Sequence, residues 1–423
     1  MTTYTERVVD VEIDELLADA AAIALDGAKG VGKTATSLRR ARTIFALDDP
    51  AQREVVEADI RAALNRPKPI LLDEWQRLPA TWDAVRRAVD ASDDPAQFLL
   101  TGSATLDTPP THSGAGRILR VRMYPYALSE RALETPSVSL RTLLAGQRPP
   151  IDGTTSVGLA DYVEEIVASG FPAIRRRTGR TRAAQLDGYL ARIVDRDFVD
   201  AGYAVRRPAL LMHWLRAYAA ATSTVARLET IRDAATGDMA DKPAKNTALA
   251  YRDVLTRLWI LDPVPAWLPS RNMLADLTRS PKHHLVDAAL AARLLGITRD
   301  ALLNATPTAA PAPASGMLGP LFESLVTQSV RVYAQAAEAS VHHLRTAKGR
   351  QEIDLIVRGA DHRVVAVEVK LGATVNDRDV RHLHWLHGQI GDALVDAIVV
   401  STGPTAYRRA DGIGVVPAAL LGP

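Results

Sequence analysis

The 423-residue chain contains no cysteine. That excludes a disulfide framework, a thiolate zinc site, an iron–sulfur cluster and a cysteine nucleophile, and it points to a reducing compartment, the cytoplasm. Aromatic residues make up only 5%, which leaves few stacking platforms for single-stranded nucleic acid. No stretch reaches the roughly 18 uninterrupted apolar residues of a membrane span. The opening MTTYTERVVDVEIDELLADAA lacks the basic region and apolar core of an export signal. An excess of one charge is also missing: the formal net charge is +2, so any nucleic-acid surface must be a local patch. Lysine is scarce, with eight against 43 arginines, which makes each lysine informative. What is present, 47% hydrophobic and 24% charged residues, has globular proportions. At roughly 150 residues per domain the length predicts about three domains.

Short apolar runs alternate with helical stretches in the first part: AAIALDG (21–27), TIFALD (43–48), PILLDE (69–74), QFLLTGS (97–103) and ILRVRMYP (118–125). Strands alternating with helices predict an α/β domain with a parallel sheet, over residues 1–135. From Pro136 to Thr155 the chain reads as a loop-like boundary. Residues 155–305 carry helical periodicity, with room for a winged-helix element within 207–262. The run TPTAAPAPASG (306–316) reads as a linker. Residues 316–423 then predict a compact α/β module with strands HHLRTA, EIDLIVRG, VVAVEVKLG, DAIVVST and GVVPA and a helix around 377–391.

Gly27-Ala28-Lys29-Gly30-Val31-Gly32-Lys33-Thr34, followed by Ala35, satisfies G-x-x-x-x-G-K-[ST] between an apolar strand and a helix start. Glycines let successive backbone N–H groups turn toward phosphate oxygens, and the helix start adds positive partial charge. Lys33 would reach the β/γ-phosphates and Thr34 would ligate magnesium. Asp73, at the end of ILLD, would hold the magnesium through water, and Glu74 beside it would polarise an attacking water. This acidic pair is typical of ATP hydrolases, and the absence of an N-K-x-D motif also favours ATP over GTP. Thr101, in Thr101-Gly102-Ser103 after the QFLL strand, is placed to sense the γ-phosphate or to form a turn. Arg117 is either an arginine finger, in cis or across a subunit interface, or an ordinary surface arginine.

Together GAKGVGKTATS, PILLDEWQRLP, LLTGSAT, SGAGRI, MYPYALSE, SGFP and SPKHHLVDAALA resemble a prokaryotic family of AAA-like ATP-binding proteins with an appended helical domain of unknown function. The resemblance implies a P-loop ATPase, a helical middle with a winged-helix element, and a C-terminal domain like the PD-(D/E)xK, or restriction-endonuclease-like, nucleases. Such proteins often read P-L-S-x-x-E where this chain has Pro125-Tyr126-Ala127-Leu128-Ser129-Glu130. Resemblance to AAA proteins also implies self-association into a homo-oligomer.

Asp354, in EIDLIV, and Glu368-x-Lys370, in VVAVEVK, are joined by a turn and predict a hairpin. Residues two apart share a face, so Glu368 and Lys370 point together while Val367 and Val369 enter the core. Two carboxylates with a lysine suit metal-assisted phosphodiester hydrolysis: Asp354 and Glu368 would bind magnesium and Lys370 would orient the water. Glu323 resembles the extra acid of such nucleases. The alternative is a cross-strand salt bridge on a solvated face. Arg175, Arg176, Arg177, Arg180 and Arg182 form a basic loop that could contact phosphates or remain a solvated charge run. His283 and His284, like His342 and His343, are adjacent and form no chelate. Asp195 and Asp197 read as helix-surface salt-bridge formers.

The resulting expectation is a cytoplasmic, magnesium-dependent ATPase that controls a helical and nuclease-like part, acting on nucleic acid, DNA rather than RNA, and not on membranes. The alternative is an ATP-driven switch or adaptor whose C-terminal domain is an inactive binding module. A small-molecule kinase is weaker, because no acceptor signature accompanies the phosphate loop.

Overall fold

The computed structural model describes residues 4–102, 114–235, 243–269, 279–304, 316–346 and 349–423. Ser103, most of the loop before Arg117 and nearly all of the 306–316 run lie outside the described residues. The five apolar runs of the first part form β1 (Ala22–Asp26), β2 (Thr43–Ala46), β3 (Ile70–Asp73), β4 (Phe98–Thr101) and β5 (Leu119–Arg122). They make one parallel sheet in the order β2-β3-β4-β1-β5. β1, β3 and β4 lie inside this sheet, with neighbours on both edges, and their continuous apolar runs suit burial on both faces. Ile23, Leu71 and Leu99 are fully buried in one hydrophobic cluster, and Ile70, Leu72 and Phe98 in another.

The described residues between 159 and 301 are helical in the main. The helices Leu159–Ala168, Gly179–Arg192, Pro208–Ala220 and Ala288–Leu294 pack together, and Trp214, Tyr218 and Leu211 are buried among them. The helix Lys245–Arg257 is followed by two antiparallel bridges, Leu261 to Leu285 and Val264 to Lys282.

The C-terminal sheet contains β7 (Ser340–Arg345), β8 (Glu352–Arg358), β9 (Val364–Val369), β10 (Leu394–Ser401), β11 (Tyr407–Arg408) and β12 (Gly414–Pro417) in the order β11-β12-β10-β9-β8-β7. β8 and β9 are antiparallel, as the hairpin reading requires. One feature departs from the sequence reading: every residue of β9 is buried, Glu368 as well as Val367 and Val369. Both faces of this strand are covered, so the alternative of a salt bridge on a solvated face does not hold for Glu368.

The 136–155 boundary is also more structured than its composition suggests. Val138–Ser139 (β6) pairs in parallel with the last strand, Leu421–Gly422 (β13), and the helix Leu140–Leu144 buries Leu140 and Leu143. The N- and C-terminal parts are thereby joined. Beyond β7 the helical part extends the sheet: His343 donates its N–H to the Pro265 carbonyl at 2.9 Å, and Trp267 donates to the His343 carbonyl at 2.8 Å. No helix among the described residues is long and apolar enough to cross a membrane.

Candidate active site and a carboxylate cluster

The phosphate-loop sequence leaves β1 and turns through Gly27, Gly30 and Gly32, all at positive φ, into the helix Lys33–Leu38. At Gly27 the need for glycine is steric: a β-carbon there would lie 2.2 Å from the Met123 carbonyl oxygen, at φ +148°. The helix has only six residues, so its dipole is small, and the loop N–H groups with Lys33 carry most of the positive potential. The Lys33 ammonium is buried and donates to the carbonyls of Gly27 at 2.8 Å and Ala28 at 3.1 Å. Burial pulls its pKa down to about 8, against the opposing field of Glu74, Asp26 and Asp73.

Asp73 is the meeting point of three strand and loop ends. Thr34 Oγ1 donates to Asp73 Oδ1 at 2.8 Å, and Thr101 Oγ1 donates to the same oxygen. The parallel register that pairs Asp73 with Thr101 places them side by side. Glu74 follows at φ 54° and accepts a hydrogen bond from Gln76 Nε2 at 2.5 Å. Lys33, Thr34, Asp73, Glu74 and Thr101 are thus brought together. Arg117 is not: it is half exposed, pairs with Asp90 at 2.8 Å and donates to the Ala115 carbonyl.

Three side chains at this site were not anticipated. Arg7 donates to the Val31 carbonyl at 2.9 Å and to the Tyr124 carbonyl at 2.7 Å, while its Nε meets Glu130 at 2.9 Å. Tyr189, from the helical part, donates to the Lys29 carbonyl at 3.0 Å. Asp197 acts on Lys29 electrostatically and pairs with Arg192 at 3.4 Å. Burial is the main cause both of the lowered Lys29 pKa and of the raised Asp197 pKa. The SGFP segment lies against the loop as well, since added β-carbons on Gly30 and Gly32 would sit 3.9 Å from Phe171 and 3.8 Å from Pro172. Asp287 holds that segment, accepting from Ser169 Oγ at 3.0 Å and from the Gly170 N–H at 2.6 Å.

The basic loop is largely committed to internal pairs. Arg175 is bound to Glu165 and Arg182 to Glu164, which leaves Arg176, Arg177 and Arg180 exposed.

In the C-terminal part the pairing of Leu355 with Val367 sets Asp354 opposite Glu368, and Lys370 Nζ donates to Glu368 Oε1 at 2.7 Å. Glu323 comes from the helix Leu318–Ala336, which packs on β7 and β8. The four nuclease-like residues are therefore gathered, but a fifth group stands among them. Lys282 Nζ lies 2.8 Å from Glu323 Oε1, 3.0 Å from Asp354 Oδ1 and 3.8 Å from Glu352 Oε1.

Burial works against the Lys282 ammonium, yet Asp354 and Glu323 outweigh it and hold its pKa above the ordinary lysine value. Burial and the Asp354 charge push both Glu323 and Glu368 up to about 8. Asp354 is also desolvated, but Lys282 and the Val369 N–H hold it below the usual carboxylate range. Among the described residues no group of three or more histidines and carboxylates is arranged to hold a metal ion. The expectation of magnesium on Asp354, Glu368 and Glu323 does not fit the cluster as built, because an ammonium stands between two of its carboxylates. The signal for Lys282 was in the sequence, in the scarcity of lysine and in the Pro281-Lys282-His283-His284 motif.

Comparison with known proteins gives three family matches along the chain. Residues 19–132 match the model of an AAA domain, residues 159–301 a domain of unknown function (DUF8612) and residues 318–421 a domain of unknown function (DUF4143). Uncharacterized proteins of Mycobacterium tuberculosis and Mycobacterium bovis are each 26% identical over 412 residues, covering 94% of this chain and 80% of their own length. Among solved structures, the Walker-type ATPase paby2304 of Pyrococcus abyssi aligns at 13% identity and TM-score 0.31, covering 67% of this chain and 94% of its own. Residues 19–132 thus match an AAA domain and hold Lys33, Thr34 and Asp73 in a phosphate-loop arrangement, ahead of two segments that match domains of unknown function.

Proposed function

We propose that the protein is a magnesium-dependent ATP hydrolase in which the helical part reads the state of the phosphate loop. The observation that carries this reading is the convergence of Thr34 and Thr101 on Asp73 beside the buried Lys33 ammonium. Thr34 Oγ1 and Asp73 Oδ1, 2.8 Å apart, form an oxygen pair suited to magnesium, and they fit that ion's preference for hard donors. Bound there, magnesium would neutralise charge on the transferred phosphoryl group. The phosphates would take over the bonds Lys33 now gives to the Gly27 and Ala28 carbonyls, and Glu74 would accept the proton of the attacking water.

Support for the reading by the helical part comes from contact. Tyr189 donates to the loop, Phe171 and Pro172 lie within 4 Å of where β-carbons on Gly30 and Gly32 would stand, and Asp287 fixes the segment that carries these two. Lys282, five residues before Asp287, reaches the C-terminal carboxylates. These contacts favour a switch or adaptor, with the C-terminal domain as a non-cleaving binding module. A second reading, a nuclease acting on nucleic acid, draws support from the Asp354, Glu368 and Lys370 constellation and from the exposed Arg176, Arg177 and Arg180.

The test is magnesium-dependent ATP hydrolysis by wild type, Lys33→Ala and Glu74→Gln, with and without single- and double-stranded DNA and RNA. Lys33→Ala should lose ATP binding, whereas Glu74→Gln should bind ATP without turning it over. Normal hydrolysis by both variants would reject the assignment. Stimulation by a nucleic acid would move the balance to the second reading.

A further inference from the structure

The helical part holds a cavity of about 340 Å³ away from the phosphate loop, a volume within the range of small-molecule sites. Residues of the helices Leu159–Ala168, Gly179–Arg192, Ala288–Leu294 and Arg299–Leu303 line it. Its walls are largely apolar, with Val167, Leu186, Ala289, Ala292 and Ile297 on them. Three guanidinium groups also line it, those of Arg182, Arg293 and Arg299, against one carboxylate among the described residues, that of Glu164. Arg182 donates to Glu164 Oε1 at 2.6 Å, and Arg293 is paired with Asp187 at 2.5 Å. Arg299 has only long contacts with acids, 3.6 Å to Glu164 Oε2 and 3.6 Å to Asp300, whose side chain is 83% exposed and screened by water. Two of the three cations are thus matched, and the charge of Arg299 is offset only weakly.

Three walls of this cavity end on contacts to the phosphate loop. Leu159–Ala168 runs directly into Ser169–Pro172, where Phe171 and Pro172 stand within 4 Å of the places that β-carbons on Gly30 and Gly32 would take. Leu186 lies three residues before Tyr189, the donor to the Lys29 carbonyl. Asp287 accepts the Ala289 N–H through one carboxylate oxygen, at 2.8 Å, and the Gly170 N–H through the other, at 2.6 Å.

We propose that the cavity is an effector site for a small amphipathic monocarboxylate, with its apolar body between Val167, Leu186 and Ile297 and its carboxylate on Arg299. The guanidinium fork matches a carboxylate with two parallel N–H donors. The single negative charge follows from the one weakly offset cation, and the apolar body from the walls. A ligand that fills the cavity fixes the spacing of the helices around it, and through their ends it steadies the loop at Lys29 and Gly30. Binding in the cavity is independent of the ATP assignment, whereas the effector role rests on the reading that the helical part senses the phosphate loop.

Octanoate is the probe, with 1-octanol as the analogue that lacks the charge and acetate as the one that lacks the apolar body. Calorimetry on the full-length, nucleotide-free chain should show saturable binding of octanoate, and neither octanol nor acetate should bind at the same concentrations. Arg299→Gln should weaken octanoate roughly tenfold, the loss of one charge-assisted contact. Ala183→Phe, at a residue that lines the cavity, should fill it and abolish binding. If that variant does not fold, the partly exposed Arg299 still provides the test. Octanoate should also slow amide hydrogen exchange at residues 29–31 in wild type. The proposal is overturned if octanoate does not bind, if octanol binds equally well, or if Arg299→Gln binds octanoate as wild type does. Octanoate binding with unchanged exchange at residues 29–31 overturns the effector role. A chain that binds octanoate but does not hydrolyse ATP rejects the ATP assignment and leaves the cavity assignment in place.

Discussion

The Tyr189 hydroxyl donates to the Lys29 carbonyl at 3.0 Å, a bond between residues 160 apart that ties the helical part to the phosphate loop. Tyr189→Phe removes this bond and leaves the ring in place, its centroid 4.8 Å from that of Phe171. The expected cost is about 1 kcal/mol of stability. Amide hydrogen exchange should accelerate at residues 29–31 and stay unchanged in the C-terminal sheet. Equal exchange in the two proteins would show that the bond does not hold the loop.

Gly27 and Gly188 make opposite predictions for the same substitution. At Gly27 an added methyl would enter the Met123 carbonyl, at a backbone angle that side chains rarely adopt. Gly27→Ala should therefore cost more than about 2 kcal/mol and abolish ATP binding. At Gly188, inside the helix Gly179–Arg192, nothing lies within 4 Å of the added carbon. Gly188→Ala should be neutral or stabilising by roughly 0.5–1 kcal/mol. Urea unfolding of the two variants beside wild type measures both.

Arg7 and Glu130 form an ion pair with each side chain 3% exposed. Glu130 also accepts the N–H groups of Val8 and Ala127, which hold it in place and buried when Arg7 is removed. Arg7→Met should destabilise by about 3–5 kcal/mol, the usual cost of breaking a buried ion pair by removing one partner. The double variant Arg7→Met/Glu130→Gln should recover part of that loss. A double-mutant cycle in which the two effects simply add would refute the coupling.

Local pattern made much of the fold legible. The five N-terminal runs, the β8–β9 hairpin and the helix Asp377–Ile390 follow from periodicity and turn residues. The phosphate loop was legible for the same reason, since its chemistry is written in eight consecutive residues. Long-range partners were not, because periodicity states that a face is covered without stating what covers it. Tyr189 reaches Lys29, Arg7 reaches Val31 and Lys282 reaches Asp354 across sequence separations of 160, 24 and 72. Asp197 read as a surface acid because nothing in its own segment reveals that Lys29 faces it. Alternation put Glu368 and Lys370 on one face, but could not tell that this face is covered too, since every residue of β9 is buried.

His343 allows a test of the joint between the helical and C-terminal parts by pH. The ring is buried beside the Val264 extension, and its Nε2 lies 3.2 Å from the Ser280 carbonyl. Burial, then the charges of Lys282, Arg345 and His342, pull its pKa down to about 4 despite that carbonyl. Between pH 6.5 and about 4 the unfolded chain takes up a proton that the folded ring refuses, so stability falls as pH falls through this window and levels below it. At about 1.4 kcal/mol per pH unit the loss from this residue is on the order of 3 kcal/mol. His342, also pulled down to about 4 chiefly by burial, adds a slope of the same sign. His343→Gln removes one of these protons, so its urea midpoint should depend less steeply on pH than that of wild type between pH 6.5 and 4.5. Parallel pH dependences would show that His343 is not held neutral at the joint, and that the acid sensitivity of the protein lies elsewhere.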